Sequence, residues 1–542
     1  MTQWFQQAVG YQIYPRSFKD SNGDGIGDLK GIQEKIPYLK ELDIDFIWLN
    51  PVYQSPNIDN GYDISDYQAI NPEFGTLEEL KELIEQAHAH GIKLIMDLVI
   101  NHTSDKHPWF IESKKSKDNP YRDYYLWADA TKDKMPNDWQ SFFGGSTWTY
   151  DETTSQAYFH VFAKEQPDLN WKNATMREEI YQMIRWWLDF GIDGFRLDAI
   201  SHIQKEPWNF KITDNPWAPF MNVSGIENYM DELRTIFKQH HIMTVGEASG
   251  VSSKQAPYWT DESSGYIDMI FELEHQVRTG PPDNEKGNPL GFKKILSRWQ
   301  KDLQPIGWNA LYIENHDNPR VNSVFGNETK ESATALATAY FFLRGTPFIY
   351  QGQELGMTNF PFSSIEEFDT TDAKHAYQEY LNQGLSSEEA LKRTSNWSRD
   401  HSRTPMQWEP TGGFSSGEPW MKINPNTESI NVTDEQADQN SLLNYYKKLI
   451  QLRKTVSVLT DGRYQLALPD HPSVWAYTRT NETHEVYVLT NLSASSQTVT
   501  LPNRWVNKPV KKLIGNYQNF SWKKTQTLRP FETQVVEKTL SS

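Results

Sequence analysis

The chain has 542 residues, a formal net charge of -18 and an isoelectric point near 5.3. So acidic a protein is a poor partner for nucleic acid or an anionic membrane, and no apolar run approaches the roughly 18 residues of a membrane helix. The absence of cysteine excludes disulfides and thiolate chemistry, and residues 1–7 lack a basic, apolar leader pattern, so a cytoplasmic location is expected.

The first hundred residues alternate strand and helix patterns. Residues 9–14 read as a strand, 29–42 as an amphipathic helix and 45–49 as a buried strand. A helix at 77–90 and a nearly continuous apolar strand at 93–100 follow. Apolar strands between helices predict a parallel sheet covered on both faces. Residues 101–171 break the pattern, being rich in Trp, Tyr, Gly, Asp and Pro, and are expected to form an irregular inserted domain. A helix at 176–189 and strands at 194–198, 243–247, 269–273, 310–315 and 347–351 restore it. Eight such strands from residue 9 onward predict an α/β fold, a (β/α)8 TIM barrel. Residues 358–410 read as a second irregular insertion and 440–456 as a helix. Short alternating segments at 473–478, 485–491, 497–501 and 534–538 predict a C-terminal antiparallel β domain. The expected domains are a barrel from 1–100 and 172–465, an inserted domain at 101–171 and a β domain at 466–542.

Four motifs carry the chemistry: Asp97-Leu98-Val99-Ile100-Asn101-His102, Gly194-Phe195-Arg196-Leu197-Asp198, Gly246-Glu247 and Asn315-His316-Asp317. The last three place carboxylates at successive strand ends, where a barrel's active site lies and where a glycosidic bond can be split. Arg196 points to the same side of its strand as Asp198 and is expected to lower its pKa and orient it. Glu247 is expected to be protonated at rest, through burial or neighbouring carboxylates. Near the N-terminus, Asp20-Ser21-Asn22-Gly23-Asp24-Gly25-Ile26-Gly27-Asp28 spaces oxygen atoms as hard-cation loops do, although position twelve is Gly31 and no helix precedes it.

These motifs resemble the alpha-amylase family, glycoside hydrolase family 13, over nearly the whole chain. Gln166-Pro167-Asp168-Leu169-Asn170, Tyr11-Gln12-Ile13-Tyr14-Pro15-Arg16-Ser17-Phe18, Asn60-Gly61-Tyr62-Asp63 and Arg403-Thr404-Pro405-Met406-Gln407-Trp408 resemble its oligo-1,6-glucosidase and alpha-glucosidase subgroup. The resemblance implies Asp198 as nucleophile and Glu247 as general acid/base. It also implies retention of configuration through a covalent glucosyl-enzyme, with the carboxyl groups about 5–5.5 Å apart. Asp317 would hold the 2- and 3-hydroxyls of the sugar, and His102 and His316 would bond hydroxyls of the same ring. Asp59 and Arg399 would grip the 4-hydroxyl of a terminal glucose, making the enzyme exo-acting. Tyr62 would stack beneath that glucose, and Asp63 would support Arg196 or the pocket. Around Arg399 the segment Ser398-Arg399-Asp400-His401-Ser402-Arg403 departs from the usual Gly-Arg-Asp-Asn-Ala-Arg.

Linkage is read from the residue after the nucleophile. Val there accompanies alpha-1,6 bonds in this subgroup, and Ala or Thr accompanies alpha-1,4 bonds. Ala199 and His202 therefore imply alpha-1,4, and Gly246-Glu247-Ala248-Ser249-Gly250 departs from the Gly-Glu-Met-Pro-Gly of 1,6-specific relatives. The expected function is a retaining exo-alpha-glucosidase acting on maltose and short malto-oligosaccharides, with transfer to sugar acceptors as a compatible second outcome. The alternatives are an oligo-1,6-glucosidase and, less favoured for want of a basic cluster, a trehalose-6-phosphate hydrolase. Relatives bind calcium through Asp20, Asn22, Asp24, Asp28 and the carbonyl of Ile26, so a structural calcium ion is expected, with magnesium as the alternative. The expected partner is a neutral oligosaccharide, and the expected state a monomer or weak homo-oligomer.

Overall fold

In the computed structural model, which describes residues 3–276, 288–304, 306–506, 509–519 and 521–540, eight parallel strands close into a barrel. In chain order they are β1 (Gly10–Ile13), β2 (Phe46–Leu49), β3 (Lys93–Val99) and β4 (Gly194–Asp198). The ring continues with β5 (Met243–Glu247), β6 (Met269–Phe271), β7 (Asn309–Leu311) and β8 (Thr346–Tyr350), which pairs with β1. All eight expected strands are therefore present, at the expected places.

Alternation along these strands decides what reaches the lumen. On β2, Phe46 and Trp48 cluster with Ile95, Met243, Val245, Met269, Phe271 and Phe348 inside the barrel. Ile47 and Leu49 join the apolar layer beneath the helices. The same parity turns Phe195 and Leu197 of β4 outward, which leaves Arg196 and Asp198 facing in. Met243 and Val245 face in on β5, so Glu247 does too.

The helix expected at 29–42 is broken into Leu29–Glu34 and Ile36–Glu41. Pro37 has no N–H to donate to the preceding turn, so the chain restarts there. The helix Leu77–Ala89 starts where Thr76 and Glu79 form a reciprocal capping box. The inserted segment is more regular than its composition suggests. It holds a short helix, Pro108–Ser113, and an antiparallel sheet in the order Trp127–Asp129, Gln156–Phe159, Trp148–Asp151. Trp139, Trp148 and Phe159 form its aromatic core, which Phe220 from the loop after β4 completes. The insertion at 358–410, expected to be irregular, contains the helices Thr371–Asn382 and Ser387–Ser395. After the helix Leu442–Thr455 comes an antiparallel five-stranded sheet in the order Arg463–Ala467, Val474–Thr480, His484–Asn491, Thr533–Thr539, Lys511–Gly515. No described helix is long and apolar enough to cross a membrane.

Candidate active site

At the C-terminal mouth of the barrel one guanidinium organises three carboxylates. Arg196 Nη1 donates to Asp97 Oδ1 at 2.7 Å and to Asp198, and Nη2 donates to Glu247 Oε2 at 2.7 Å. Strand register makes this cluster: Arg196 lies beside Asp97 of β3 and Val245 of β5. Asp97 also accepts from Trp48 Nε1 at 2.7 Å and is wholly buried. Its place was legible in the parity of β3, because Ile95 faces the lumen, but the sequence reading assigned it no role.

Burial raises the Asp198 carboxyl well above its usual range; Arg196 opposes the rise, and Glu247 and Asp97 add to it. The net lowering expected from Arg196 is thus reversed. Three carboxylates share one cation, and the surplus negative charge in a dry site is relieved by retaining a proton. Burial likewise lifts Asp97 to about 6, against the pull of Arg196.

A second cation closes the far end. Arg399 is buried, with Nη2 3.1 Å from Asp59 Oδ1, Nη1 3.2 Å from Asp317 Oδ1 and Nε 3.4 Å from Asp372 Oδ1. Arg403 Nη2 adds a contact to Asp317 Oδ1 at 3.0 Å. The unusual sequence around Arg399 therefore still delivers its side chain to Asp59 and Asp317. Asp372 and Arg403 had no assigned role in the sequence reading; Asp372 lies on a helix too polar to be recognised from its pattern.

Tyr62 lies parallel to His316, with ring centroids 5.4 Å apart and an interplanar angle of 10°. Its hydroxyl accepts from Asn50 Nδ2 at 2.7 Å and lies 2.8 Å from His316 Nε2. Gln12 Nε2 donates to His316 Nδ1 at 2.8 Å, which leaves the ring proton on Nε2. Burial pushes His316 well below its usual pKa, so the ring is neutral. His316 Nε2 lies 2.8 Å from the Tyr62 hydroxyl and 3.2 Å from Asp317 Oδ2, which sets the ring beside two residues that line the cavity. His102, by contrast, lines the cavity, with Nε2 3.0 Å from the Tyr62 carbonyl and 3.2 Å from Gln166 Nε2. Gln166 also donates to Asp59 Oδ2 at 3.1 Å. Asp63 does not reach Arg196. It accepts the backbone N–H groups of Ile58 and Asp59 at 2.9 and 3.0 Å, holding the turn that carries Asp59.

These groups surround a cavity of about 550 Å³. Asp59, Tyr62, Asp317 and Arg399 line it together with Asp198 and Glu247. Ala199, His202, Phe142, Phe162 and Trp217 form one outer wall. Ala199 is in the left-handed region, at φ 44°, and its N–H donates to Glu247 Oε2 at 3.3 Å. His202 is anchored by Nδ1 2.6 Å from the Phe220 carbonyl, and burial lowers it to about 4. Behind this wall Lys205 Nζ lies 2.7 Å from Asp168 Oδ2 and 2.9 Å from Asn101 Oδ1, a buried pair joining the inserted domain to the loop after β4.

The metal-type loop folds against residues 414–420: Asp20 N–H donates to the Phe414 carbonyl and Trp420 N–H to that of Gly25. Asp20 accepts the N–H groups of Asn22, Gly23 and Gly25, and Asp28 accepts those of Ser21 and Gly31. Asn22 and Asp24 accept from the loop N–H groups of Asp24 and Ile26. Together with the Ile26 carbonyl these are hard oxygen donors, the type that calcium or magnesium takes, although among the described residues no group of three or more carboxylates or imidazoles converges as a metal cluster.

A parallel barrel with an Arg-bridged carboxylate pair beside a second arginine–carboxylate cluster is the architecture of a sugar-cleaving barrel enzyme. The alpha amylase catalytic domain model matches residues 12–462, and the C-terminal domain model of the alpha-amylase SusG matches 474–535. This chain belongs to the alpha-amylase family, glycoside hydrolase family 13, and is a glycoside hydrolase. It is 50% identical over 506 residues to a probable oligo-1,6-glucosidase 3 of Bacillus subtilis, covering 91% of each chain. It is 47% identical to an oligo-1,6-glucosidase of Parageobacillus thermoglucosidasius, covering 98% of this chain and 99% of that one. A solved trehalose-6-phosphate hydrolase mutant of Bacillus licheniformis is 39% identical and superposes with a TM-score of 0.94, covering 99% of this chain and 100% of that one.

Proposed function

We propose that this enzyme is a retaining, exo-acting alpha-glucosidase that removes the terminal glucose from short oligosaccharides. The observation that carries this reading is the ion-paired cluster of Asp59, Arg399 and Asp317, which lines the same cavity as the Asp198–Glu247 pair. Such a cluster can hold the hydroxyls of one terminal sugar, so that cleavage falls one unit from the non-reducing end. Asp198 Oδ attacks the anomeric carbon while Glu247 gives its proton to the departing oxygen. Glu247 then takes a proton from water, whose oxygen displaces Asp198. Arg196 serves both steps: it orients the two carboxylates and stabilises the charge that remains on Asp198. Contact with the two terminal nitrogens of one guanidinium keeps the carboxyls close together, which supports retention.

The names borne by the relatives support alpha-1,6 bonds as the preferred linkage. Ala199, in the wall where a leaving sugar would lie, favours alpha-1,4 as a second reading. A phosphorylated substrate is disfavoured, since Arg399 is the sole Arg or Lys among the described cavity-lining residues and is held by three carboxylates. Initial glucose release from maltose, isomaltose and trehalose-6-phosphate tests all three readings. Release from isomaltose well above maltose supports the 1,6 reading, the reverse order supports the 1,4 reading, and hydrolysis of the phosphorylated sugar alone overturns both. We also propose that Asp20, Asn22, Asp24, Asp28 and the Ile26 carbonyl hold a structural calcium ion. When bound, it would tie the loop after β1 to the segment near Ser415.

A further inference from the structure

The outer half of the cavity has two chemically opposite walls. One is aromatic: Phe142 lies 5.6 Å from Phe162 at an interplanar angle of 24° and 4.9 Å from Trp217. The other is the helix Thr371–Asn382 and the residue after it, whose His375, Ala376, Glu379, Tyr380 and Gln383 line the cavity. His375, Glu379 and Gln383 recur every four residues, so they share one helix face. At 1.5 Å per residue that polar stripe runs about 12 Å, longer than a single pyranose ring. All three side chains are solvent-exposed at the rim rather than in the core. The loop tip at Gly144 arches over to this helix: a Cβ at Gly144 would lie 2.5 Å from His375 Cε1. The two walls therefore meet across the cavity, the helix face exposed where Asp198 is buried.

A sugar presents apolar C–H faces and a hydroxyl-bearing edge, and a slot between rings and a polar stripe matches both. We infer that the face formed by His375, Glu379 and Gln383 is a recognition wall for the glucosyl units beyond the scissile bond. It selects hydroxyl-rich leaving groups, and sugar acceptors in the reverse sense, by hydrogen bonds from the helix while the aromatic wall packs the ring faces. This inference rests on the glucosidase reading and assigns its leaving-group specificity.

The test is the triple variant H375A/E379A/Q383A, which removes exposed groups without opening the core. Rates are measured on the trisaccharide that the wild type prefers, isomaltotriose or maltotriose, and on 4-nitrophenyl alpha-glucoside, whose leaving group carries no sugar hydroxyls. The ratio of kcat/KM for trisaccharide over aryl glucoside should fall about tenfold, mainly through KM. An unchanged ratio in a variant that melts like the wild type overturns the recognition wall alone. A wild-type enzyme inactive on every one of these substrates overturns the glucosidase reading and this inference with it. A variant that melts early is replaced by E379Q, which keeps size and helix propensity; its trisaccharide KM should rise severalfold, and an unchanged KM overturns the assignment.

Discussion

Removing either member of the Asp198–Glu247 pair should abolish turnover while leaving the barrel intact. Asp198→Asn and Glu247→Gln are each expected to lose at least about a thousandfold in kcat, in line with losses of groups that act only in the transition state. Circular dichroism and melting curves identical to wild type would accompany that loss; ordinary turnover by either protein would sink the assignment. Asp97 offers a subtler probe. Its charge helps to raise Asp198, and the nucleophile must be ionised to act, so kcat/KM falls as pH drops through the range where Asp198 takes up its proton. Asp97→Asn deletes one neighbouring negative charge, lowers that pKa and moves the acid limb of the profile to lower pH. A limb that stays put or moves upward would contradict this electrostatic account. Ala199→Val should shift the maltose/isomaltose rate ratio toward isomaltose by about 5- to 160-fold, the scale of ~1–3 kcal/mol for two methyl groups. Because residue 199 sits at φ 44°, a β-branched side chain adds backbone strain. The ratio, not the absolute rate, is the measurement that tests linkage.

At the scale of elements, the buried Lys205–Asp168 pair does work that apolar packing alone does not. It links Asn101 after β3, the loop after β4 and the end of the inserted domain. Lys205→Met leaves the Asp168 carboxylate dry and unpaired, which should cost about 3–5 kcal/mol. Scanning calorimetry should show the deficit as a lowered melting temperature; an unchanged melting temperature would refute it. The elements also show where sequence patterns succeed. Each barrel strand was legible because a strand covered on both faces reads as a continuous apolar run. The break at Lys35 was missed because the amphipathic pattern continues across Pro37 although the hydrogen-bond ladder does not. The helices Thr371–Asn382 and Ser387–Ser395 bury few apolar groups, mainly Ala373, Tyr380 and Ala390, so they left almost no apolar stripe to detect.

At the scale of the whole molecule, the barrel supplies a rigid ring and the excursions between strands supply the cavity. Asp59 comes from the turn after β2, His102 and Phe142 from the inserted domain, and Arg399 and His375 from the insertion after β8. The loop at 20–28 packs against residues 414–420 and so joins two of these excursions. If it holds calcium, chelation should lower the melting temperature by several degrees, and added calcium should restore it. The substrate ratio should not change, since the loop lies outside the cavity lining. A melting curve indifferent to chelator and to calcium would remove the metal proposal.

The barrel, the order of its strands and the positions of Asp198, Glu247 and Asp317 were legible along the chain, because apolar strand runs and strand-end motifs are local properties of it. The family resemblance carried Asp59 and Arg399 as well. What only the tertiary structure decided is how these charges sit together. Asp97 became a partner of Arg196 through strand register, and Asp372 and Arg403 joined Asp317 and Arg399 through contacts between distant loops. His316 came to stack against Tyr62 beside Asp317. The direction of the Asp198 shift also reversed, because the cost of burying Asp97 and Asp198 beside one guanidinium exists only once the chain has removed them from water.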